Sequence, residues 1–530
     1  MSATIAPYRS QAQGARAGFP QLLRAEWTKF RTVRGWVVGL VVAAVVLVGV
    51  GMLSALGSSR SCGGPNGPIA CPGVPVGPEG GMVTDRFYFV HQTLTGDGSI
   101  TVRVTGMTSS EAWAKAGVIV KNGTGQGSAY AAVMVTGAHG VRMQYDYTHD
   151  AAGLSGAVSA SSPRWLRLTR SGDTLTGYDS GDGSNWTRIG TAHLAGLPST
   201  VQIGMFAASP DAVSTSSTGF GSSSTTGGPT LATAALDQVG LQGGTSGAVW
   251  KGDEVGGDQG GQGNQGNQAG QAGQGGSDPQ PPTSEGFQQD QATGAFSLRG
   301  SGDIAPAVGG PLGEGQAVER TLVGTFAGLV VVIVLGTLFI TSEYRRGLIR
   351  TTLVASPGRG RVLAAKVVVA AAVSFITGVV AAAVAVPLCM HTLKANGNVL
   401  YPVGLLTELR LVVGTGALLA VAAVLALAVG TMLRRGAGAV TIVIALIVLP
   451  YVLATASVLP AGPSEWLLRL TPAAGFAVQQ SLQAFTQVQS IYTPAFGYFP
   501  LAPWAGLAVM CGWAAVALGV AWYLLRRRDA

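Results

Sequence analysis

The densest charge in this chain lies in the stretch TSEYRRGLIRTTLVASPGRGRVLAAK, residues 341–366. It holds six Lys or Arg and one acid, Glu343, between two apolar runs, although only 11% of the 530 residues are charged. With Ser342 as N-cap, EYRRGLIRTTL predicts a short helix in which Arg346 and Arg350 share a face. A helix with one cationic and one apolar side suits the binding of a partner.

Patterns that carry catalysis or bind cofactors are missing from the sequence. It has no phosphate-cradling G-x-x-x-x-G-K-[ST] loop, because GRGRVLAAK lacks the Gly-Lys-Ser/Thr ending. Neither H-E-x-x-H nor C-x-x-C occurs, and the five histidines are dispersed. We expect no catalytic residue, no metal site, no cofactor and no nucleic-acid partner, so the chain is not predicted to be an enzyme.

The four cysteines fall into two pairs. Cys62 and Cys71 lie in a Gly/Pro-rich segment and are predicted to form a disulfide, if that segment is in an oxidising compartment. Free thiols are the alternative. Cys389 and Cys511 lie in or beside apolar runs and are interpreted as small hydrophobic residues.

The elements around these residues are mainly transmembrane helices. The chain is 47% hydrophobic with a mean hydropathy of +0.37, and each of its apolar runs exceeds the ~20 residues that cross a bilayer. The predicted spans are 35–59, 318–341, 366–388, 408–433, 438–459 and 501–525. The alternative interpretation is that one of these runs is a buried core helix that does not cross the membrane, which would invert the orientation of part of the chain.

The basic clusters predict the orientation. If all six runs cross, then 1–34, 342–362, Arg434–Arg435 and 526–530 lie on one side. Lys and Arg near span ends favour the cytoplasm. We therefore expect a multi-pass plasma-membrane protein with both termini cytoplasmic, and with residues 461–500 outside as a loop with short helices. The middles of the spans carry no charge, which argues against an ion-coupled carrier.

The segment before the first span predicts an amphipathic helix. In PQLLRAEWTKFRTVRGW, Leu23, Trp27 and Phe30 recur at helical spacing, with basic residues off that face. Such a helix lies in the inner leaflet and contacts membrane lipid. A merely basic flank is the alternative.

Residues 60–255 are predicted to be a β-domain outside the membrane. SITVRVTGM and GVRMQYDYT alternate apolar and polar residues, and turn signals separate the segments, as is typical of an antiparallel sandwich. The Gln/Gly-rich residues 256–292 are interpreted as a flexible linker. Residues 293–310 predict a further strand that returns to the sheet.

DRFYFVHQTLTGDGSITVRV and AWAKAGVIVKNG resemble the concanavalin A-like, laminin G-like jelly-roll module. In that module a strand similar to FSLRGSGDIAP comes first, whereas here it comes last. The resemblance implies a circularly permuted jelly roll, in which 296–304 pairs with the strand near 86–93. SGDGSNW, residues 180–186, resembles the Asp-box turn and is interpreted as structural.

Ligand sites in the outer domain can be named by residue type only. The candidates for stacking on a cell-surface glycan are Trp113, Tyr145, Tyr147 and Trp186. The candidates for binding Ca²⁺ are Asp97, Asp146, Asp179 and Asp182. The alternative interpretation is that these are core aromatics and turn aspartates.

The charged stretch also resembles the permease subunits of ABC-2 type transporters. Glu343 and Gly347 match that family's E-x-x-x-G motif, EWTKFRTVR resembles its N-terminal interfacial helix, and PSEWLLRLTPAAGFAVQQSL precedes the sixth span. The resemblance implies a homodimeric exporter permease driven by a separate ATPase, which holds the ATP and Mg²⁺. It also implies that Glu343, Arg345, Arg346, Gly347 and Arg350 couple to that ATPase.

The expected architecture is therefore an α-helical polytopic membrane protein with a large all-β jelly-roll sandwich inserted between its first two spans. The insertion departs from the family, whose members usually have a short loop there. A second hypothesis is a polytopic anchor that displays a glycan-binding domain and transports nothing, although a single span would suffice for display.

Overall fold

The computed structural model describes residues 18–527 except 65–66, 70, 72, 218–222, 246–248, 258–284, 311–312, 314, 346, 348–357 and 457–458. The helices in this part of the chain are α1 (Phe19–Thr32), α2 (Arg34–Leu56), α3 (Thr325–Arg345), α4 (Arg359–Ala395), α5 (Leu405–Leu433), α6 (Gly436–Thr455), α7 (Ala461–Leu470) and α8 (Pro503–Arg527). Within the described residues, six helices are long and apolar enough to cross a membrane: α2, α3 with its preceding 3-10 turn, α4, α5, α6 and α8.

Helix α5 is the centre of this bundle and packs against α3, α4, α6 and α8. Small residues allow the close approach, since a Cβ added to Gly378 of α4 would lie 2.7 Å from the Cα of Gly416 in α5. A Cβ at Gly336 of α3 would lie 2.8 Å from the carbonyl oxygen of Ala423. Glycine at these positions therefore determines how tightly the helices pack.

The predicted basic clusters meet at one end of the bundle, which we call the basic end. The guanidinium of Arg359, at the start of α4, donates to the carbonyl oxygen of Leu525 near the end of α8 at 2.9 Å. Arg434, which follows α5, lies over the ring of Tyr344 near the end of α3 at 5.1 Å. Helix α1 also packs here, against α4.

A β-sandwich lies between α2 and α3 in the chain. Its strands are β1 (Cys62–Gly64), β2 (Gly67–Ile69), β3 (Val83–Asp85), β4 (Phe87–Thr108), β5 (Lys115–Lys121), β6 (Tyr130–Thr136), β7 (Val141–Tyr145), β8 (His149–Ala152), β9 (Arg164–Ser171), β10 (Thr174–Ser180), β11 (Thr187–His193), β12 (Thr200–Ala208), β13 (Ala212–Ser217), β14 (Ser223–Gly228), β15 (Ala232–Thr245), β16 (Lys251–Val255), β17 (Gly286–Gln289), β18 (Phe296–Gly300) and β19 (Ile304–Pro306). The predicted pair Cys62 and Cys71 forms a disulfide beside it.

The long strand β4 belongs to both layers of the sandwich. Its first part pairs with β12 and β16, and the front layer continues through β5, β6, β7 and β8. Its second part pairs with β9 and β15, and the back layer continues through β10 and β11. The core between the layers includes Val118, Val133, Leu166, Leu168 and Leu236. Alternation along each strand places these apolar side chains on the inner faces.

Two expectations for the returning segment need correction. Strand β18 joins the back layer beside β15 and β17 and not the strand near 86–93. The end of the segment does reach the start of that strand, because Ile304 pairs with Asp85 and the N–H of Arg86 donates to the carbonyl oxygen of Asp303 at 2.9 Å. The predicted linker also ends too late, because β17 forms inside it. The ring of Phe287 in β17 stacks on Phe296 with ring centroids 6.4 Å apart, which gives this polar segment an apolar anchor. Residues 258–284 of the linker lie outside the described part.

The second face of the front layer is covered by β3 and β19, which lead to and from the membrane helices. Two buried ion pairs hold them, between Lys115 and Asp303 at 2.6 Å and between Lys121 and Asp85 at 2.7 Å. Removing one member of such a pair leaves an uncompensated buried charge, at a cost of about 3–5 kcal/mol. The covering strands are therefore fixed to the sandwich.

The sandwich is also bonded to the end of the bundle opposite the basic end. The segment that follows β19 is held by the hydroxyls of Tyr401 and Tyr498, which donate to the carbonyl oxygens of Val308 and Gly309 at 2.8 and 2.9 Å. The amide of Gln487 donates to the carbonyl oxygen of Thr148 at 2.9 Å. These contacts fasten the two domains together.

Candidate functional site

Helix α3 extends further than the sequence predicts. Ser342 was expected to cap a new short helix, but it lies inside α3, which continues to Arg345. The expected helix start is therefore wrong, because no residue before Arg345 interrupts the helical pattern. Gly347 follows with a φ of +68° and ends the helix in the left-handed region that glycine tolerates. Residues 348–357 lie outside the described part.

Four charged side chains meet at the basic end, and we call them the ion cluster: Glu26, Lys29, Glu343 and Lys366. The Lys366 ammonium lies 2.7 Å from a carboxylate oxygen of Glu26 and 2.7 Å from one of Glu343. The Lys29 ammonium lies 2.9 Å from Glu26 and 3.3 Å from Glu343. The cluster joins α1, the end of α3 and the start of α4.

The ion cluster is balanced in charge and largely removed from solvent. The side chain of Lys366 is 0% exposed and that of Glu26 is 2% exposed, whereas Lys29 is 43% exposed. Burial lowers the pKa of Lys29, but its hydrogen bonds to the carboxylates of Glu26 and Glu343 and their charges outweigh this and raise it overall. The two carboxylates therefore favour the charged form of Lys29.

Aromatic rings enclose the cluster on the bundle side. The Lys366 ammonium lies 4.9 Å from the centroid of the Phe339 ring, within the range of a cation–π interaction. Phe30 and Trp36 each meet Phe339 edge-on, with centroids 6.1 and 5.6 Å apart. These rings exclude water and so strengthen the ion pairs.

The predicted interfacial stripe divides between two environments. Phe30 is buried and Leu23 packs beside it against α3 and α4, whereas Trp27 is 47% exposed. Glu26 shares the buried face with Phe30, four residues later. Helix α1 therefore attaches to the bundle through a charge as well as through apolar side chains.

The five predicted coupling residues have different surroundings. Glu343 is buried in the ion cluster, whereas Arg345 and Gly347 are exposed. Arg346 and Arg350 lie outside the described residues. In this structure Glu343 therefore binds within the chain, whereas Arg345 and Gly347 lie at the surface.

Sequence reasoning missed Glu26 and Lys366 as members of the site. Their sequence separation is 340 residues, so no local spacing links them. A usable signal was present, since Glu26 is an acid within a basic segment and Lys366 opens an apolar run. Both charges lie where an apolar environment demands a partner.

The aromatic residues proposed for glycan stacking do not form one site. Tyr147 is 1% exposed and its hydroxyl donates to Asp85 at 2.7 Å. Trp113 is 7% exposed and stacks on a histidine. Tyr145 stacks on a second histidine in the front layer, whereas Trp186 lies in the back layer under Arg167. The structure therefore separates them.

The aspartates proposed for Ca²⁺ lie in different elements. Asp97 in β4 and Asp179 in β10 accept backbone N–H groups of Gly172 and Leu154, and Asp146 has a φ of +45° in the turn that follows β7. Hydrogen bonds from the backbone of Asn185 and Ser184 hold the pKa of the Asp182 carboxyl well below its usual range. Within the described residues, no group of three or more His, Cys, Asp or Glu is placed to hold a metal ion.

Comparison with known families covers the part of the chain that contains α3 to α8. The profile of the ABC-2 family transporter protein matches residues 174–530. The chain belongs to this family. The matched region of this ABC-2 permease begins in the sandwich, at β10, and includes Glu343 and Lys366. Helices α1 and α2 precede the matched region. A search of curated proteins finds no match to this permease.

Two solved structures that resemble part of the permease each match less than a third of the chain. A functionally unknown protein from Saccharomyces cerevisiae is 17% identical, with 32% of this chain and 82% of that chain covered and a TM-score of 0.20. Scytalido-glutamic peptidase with a transition-state analogue inhibitor is 8% identical, with 30% and 81% covered and a TM-score of 0.20. Similarity of this degree supports no conclusion on activity or ligand.

Proposed function

We propose that this ABC-2 permease is an exporter subunit whose energy comes from a separate ATPase bound at the basic end. Family membership implies an ABC ATPase partner, and the sequence contains no phosphate-cradling loop of its own. ATP and Mg²⁺ are therefore assigned to the partner. The ion cluster is the observation that carries the proposal, because it joins the elements on which such a partner would act.

The ion cluster gives the basic end a mechanical role. Residues 346–358 connect the end of α3 to the start of α4, so a partner that displaces them displaces both helix ends. The ion pair between Lys366 of α4 and Glu26 of α1 then passes the movement of α4 to α1. The ion pair between Lys366 and Glu343 keeps the end of α3 moving with α4. The three elements move together because breaking one buried contact would leave a charge without its partner.

The orientation of the permease in the membrane is proposed from the charge of the basic end. The basic clusters that meet there favour the cytoplasm, so both termini are assigned to the cytoplasm and the sandwich to the outside. The disulfide of Cys62 and Cys71 suits an oxidising outer compartment. The sandwich is proposed to act outside the cell as a recognition or scaffold module.

The functional unit is proposed to be a homodimer with α2 at its interface. Helix α2 leaves a row of valines exposed, of which Val45 is 63% exposed. A second copy would cover this row. Oxidation of a Val45→Cys variant in membranes should give a cross-linked dimer, and failure to cross-link while the thiol reacts with lipid-soluble maleimide would assign the face to lipid.

Site-specific photo-cross-linking tests the ATPase contact. A photoreactive residue at Arg345 or at Thr28, both exposed at the basic end, should cross-link a polypeptide with a G-x-x-x-x-G-K-[ST] loop, identified by mass spectrometry. The matched control is Lys394, exposed at the opposite end of α4, which should give no such product. An ATPase cross-linked from Lys394 and not from Arg345 would refute the proposed docking end.

A further inference from the structure

One outward face of the back layer carries a row of basic and aromatic side chains. Arg188 in β11 is paired in register with Tyr178 in β10, and Tyr178 with Arg167 in β9. Arg167 is paired with Thr101 in β4 and donates to its hydroxyl at 3.0 Å. Residues paired across antiparallel strands share a face, so these four side chains form a row that we call the cationic row.

A second row runs beside the first. Trp165 is paired with Arg103, and Arg103 with Asp237, which it binds through both carboxylate oxygens at 2.5 and 2.7 Å. The guanidinium of Arg103 lies 5.8 Å from the centre of the Trp165 ring. The ring of Trp186 lies 3.9 Å from the guanidinium of Arg167 in the cationic row. Stacking and ion pairing fix these side chains in place before any ligand arrives.

The charge of this face is opposite to that of its domain. Residues 61–320 contain 12 Lys or Arg and 20 Asp or Glu, a net charge of −8. Four of the 12 lie on this face: Arg103, Arg167, Arg188 and Arg299. Asp237 faces them and Asp182 lies at the rim, so the face is basic on an acidic domain. Such separation of charge favours an anionic ligand.

The face is also available to a ligand. Arg188 and Arg299 are exposed, and Trp165, Arg167 and Tyr178 are half-buried. Among the described residues, contacts with the transmembrane domain come from other parts of the sandwich, such as the turn at Thr148. Binding at this face therefore does not compete with the attachment of the sandwich to the bundle.

We propose that this face binds an acidic polysaccharide outside the cell. Guanidinium groups bind sugar carboxylates through paired hydrogen bonds, and the aromatic side chains supply flat apolar surfaces for the rings. Arg188 and Arg167 lie two strand spacings apart, about 10 Å, which is comparable with two linked pyranose rings. The choice of a polysaccharide as ligand rests on the proposed function, which places the sandwich outside the cell. The binding of an anionic ligand to this face does not depend on that location.

Binding is measured with the full-length permease in phosphatidylcholine nanodiscs. The probes are a fluorescent polygalacturonate oligomer and a neutral maltodextrin oligomer of equal length. We expect the polygalacturonate to bind and the maltodextrin not to bind. Arg188→Glu should weaken binding about tenfold, as the loss of one charge-assisted contact predicts. Arg299→Glu, on β18 and outside both rows, should weaken binding less. No ATPase is present, so this result is independent of export.

Matched variants separate this face from general charge effects. Lys251→Glu makes the same change of charge at an exposed residue of β16 in the front layer, and it should leave binding unchanged. Trp186→Ala should weaken binding, and Trp186→Phe should restore it. Equal binding of maltodextrin, equal binding of a DNA duplex of the same charge, or an equal loss in Lys251→Glu would each overturn the proposal.

Discussion

Replacing Lys366 with methionine should destabilise the permease more than any other single change in the ion cluster. The Lys366 ammonium is 0% exposed and bonds two carboxylates, each at 2.7 Å. Methionine fills a similar volume but leaves Glu26 and Glu343 facing each other. Lys29, which is 43% exposed, is then the remaining cation of the cluster.

The expected magnitude follows from the two contacts. At an effective dielectric constant of about 20, each pair attracts by about 4 kcal/mol, and desolvation of the charges offsets a large part of that. Removal of one member of a buried pair typically costs about 3–5 kcal/mol. Because Lys29 compensates both carboxylates in part, we expect the free energy of unfolding to fall by about 3 kcal/mol.

The measurement is unfolding in mixed micelles by titration with sodium dodecyl sulfate, with reversibility checked for each variant. The matched control is Lys394→Met, which removes an exposed charge near the other end of the same helix and should cost less than about 1 kcal/mol. The double variant Glu343→Gln/Lys366→Met should be more stable than Lys366→Met alone, because it removes one of the two repelling carboxylates.

Two results would refute this reasoning. A loss below about 1 kcal/mol in Lys366→Met would mean that the charges are solvated and that the cluster is not a buried joint. A double variant less stable than the single variant would mean that the remaining ion pair between Lys29 and Glu343, at 3.3 Å, outweighs the repulsion between the two carboxylates.

The remaining predictions concern pH, topology and the disulfide. Because the pKa of Lys29 is raised, its stabilisation is complete below the unfolded-chain pKa of about 10.4 and declines above it. Thermal scans from pH 8 to 11 should therefore show wild type converging on Lys29→Met. In intact cells without other free thiols, a cysteine at Ser184 should react with an impermeant maleimide and one at Thr28 should not; the reverse would invert the topology. Replacing Cys62 and Cys71 with serine, a pair nine residues apart, should lower stability by about 2.5 kcal/mol, and reducing agent should then have no further effect.

Local pattern predicts the helices and strands of this chain well. The six apolar runs each become a helix of membrane-spanning length, although α4 (Arg359–Ala395) begins seven residues before the predicted start at residue 366 and ends seven after 388. The alternating segments become strands of a sandwich. Length and periodicity suffice here because burial of apolar side chains acts on each element separately.

Local sequence patterns predict less well which strands and side chains become neighbours. The partner of Phe296–Gly300 was wrong because alternation shows that a strand has a buried face but does not show which edge it joins. Likewise, the aromatic residues predicted to share a ligand site lie in both layers, since residues with similar side chains need not share a face.

The amino-acid sequence by itself determined the membrane class, the positions of the basic clusters between the apolar runs and the presence of a β-domain between the first two spans. These properties follow from composition and from periods of a few residues. Only the tertiary structure decided that Glu26, Glu343 and Lys366 meet, because contacts over 340 and 23 residues depend on how helices pack. It also placed Arg188, Arg167 and Trp186 on one face, since strand register across β9, β10 and β11 decides which side chains are neighbours.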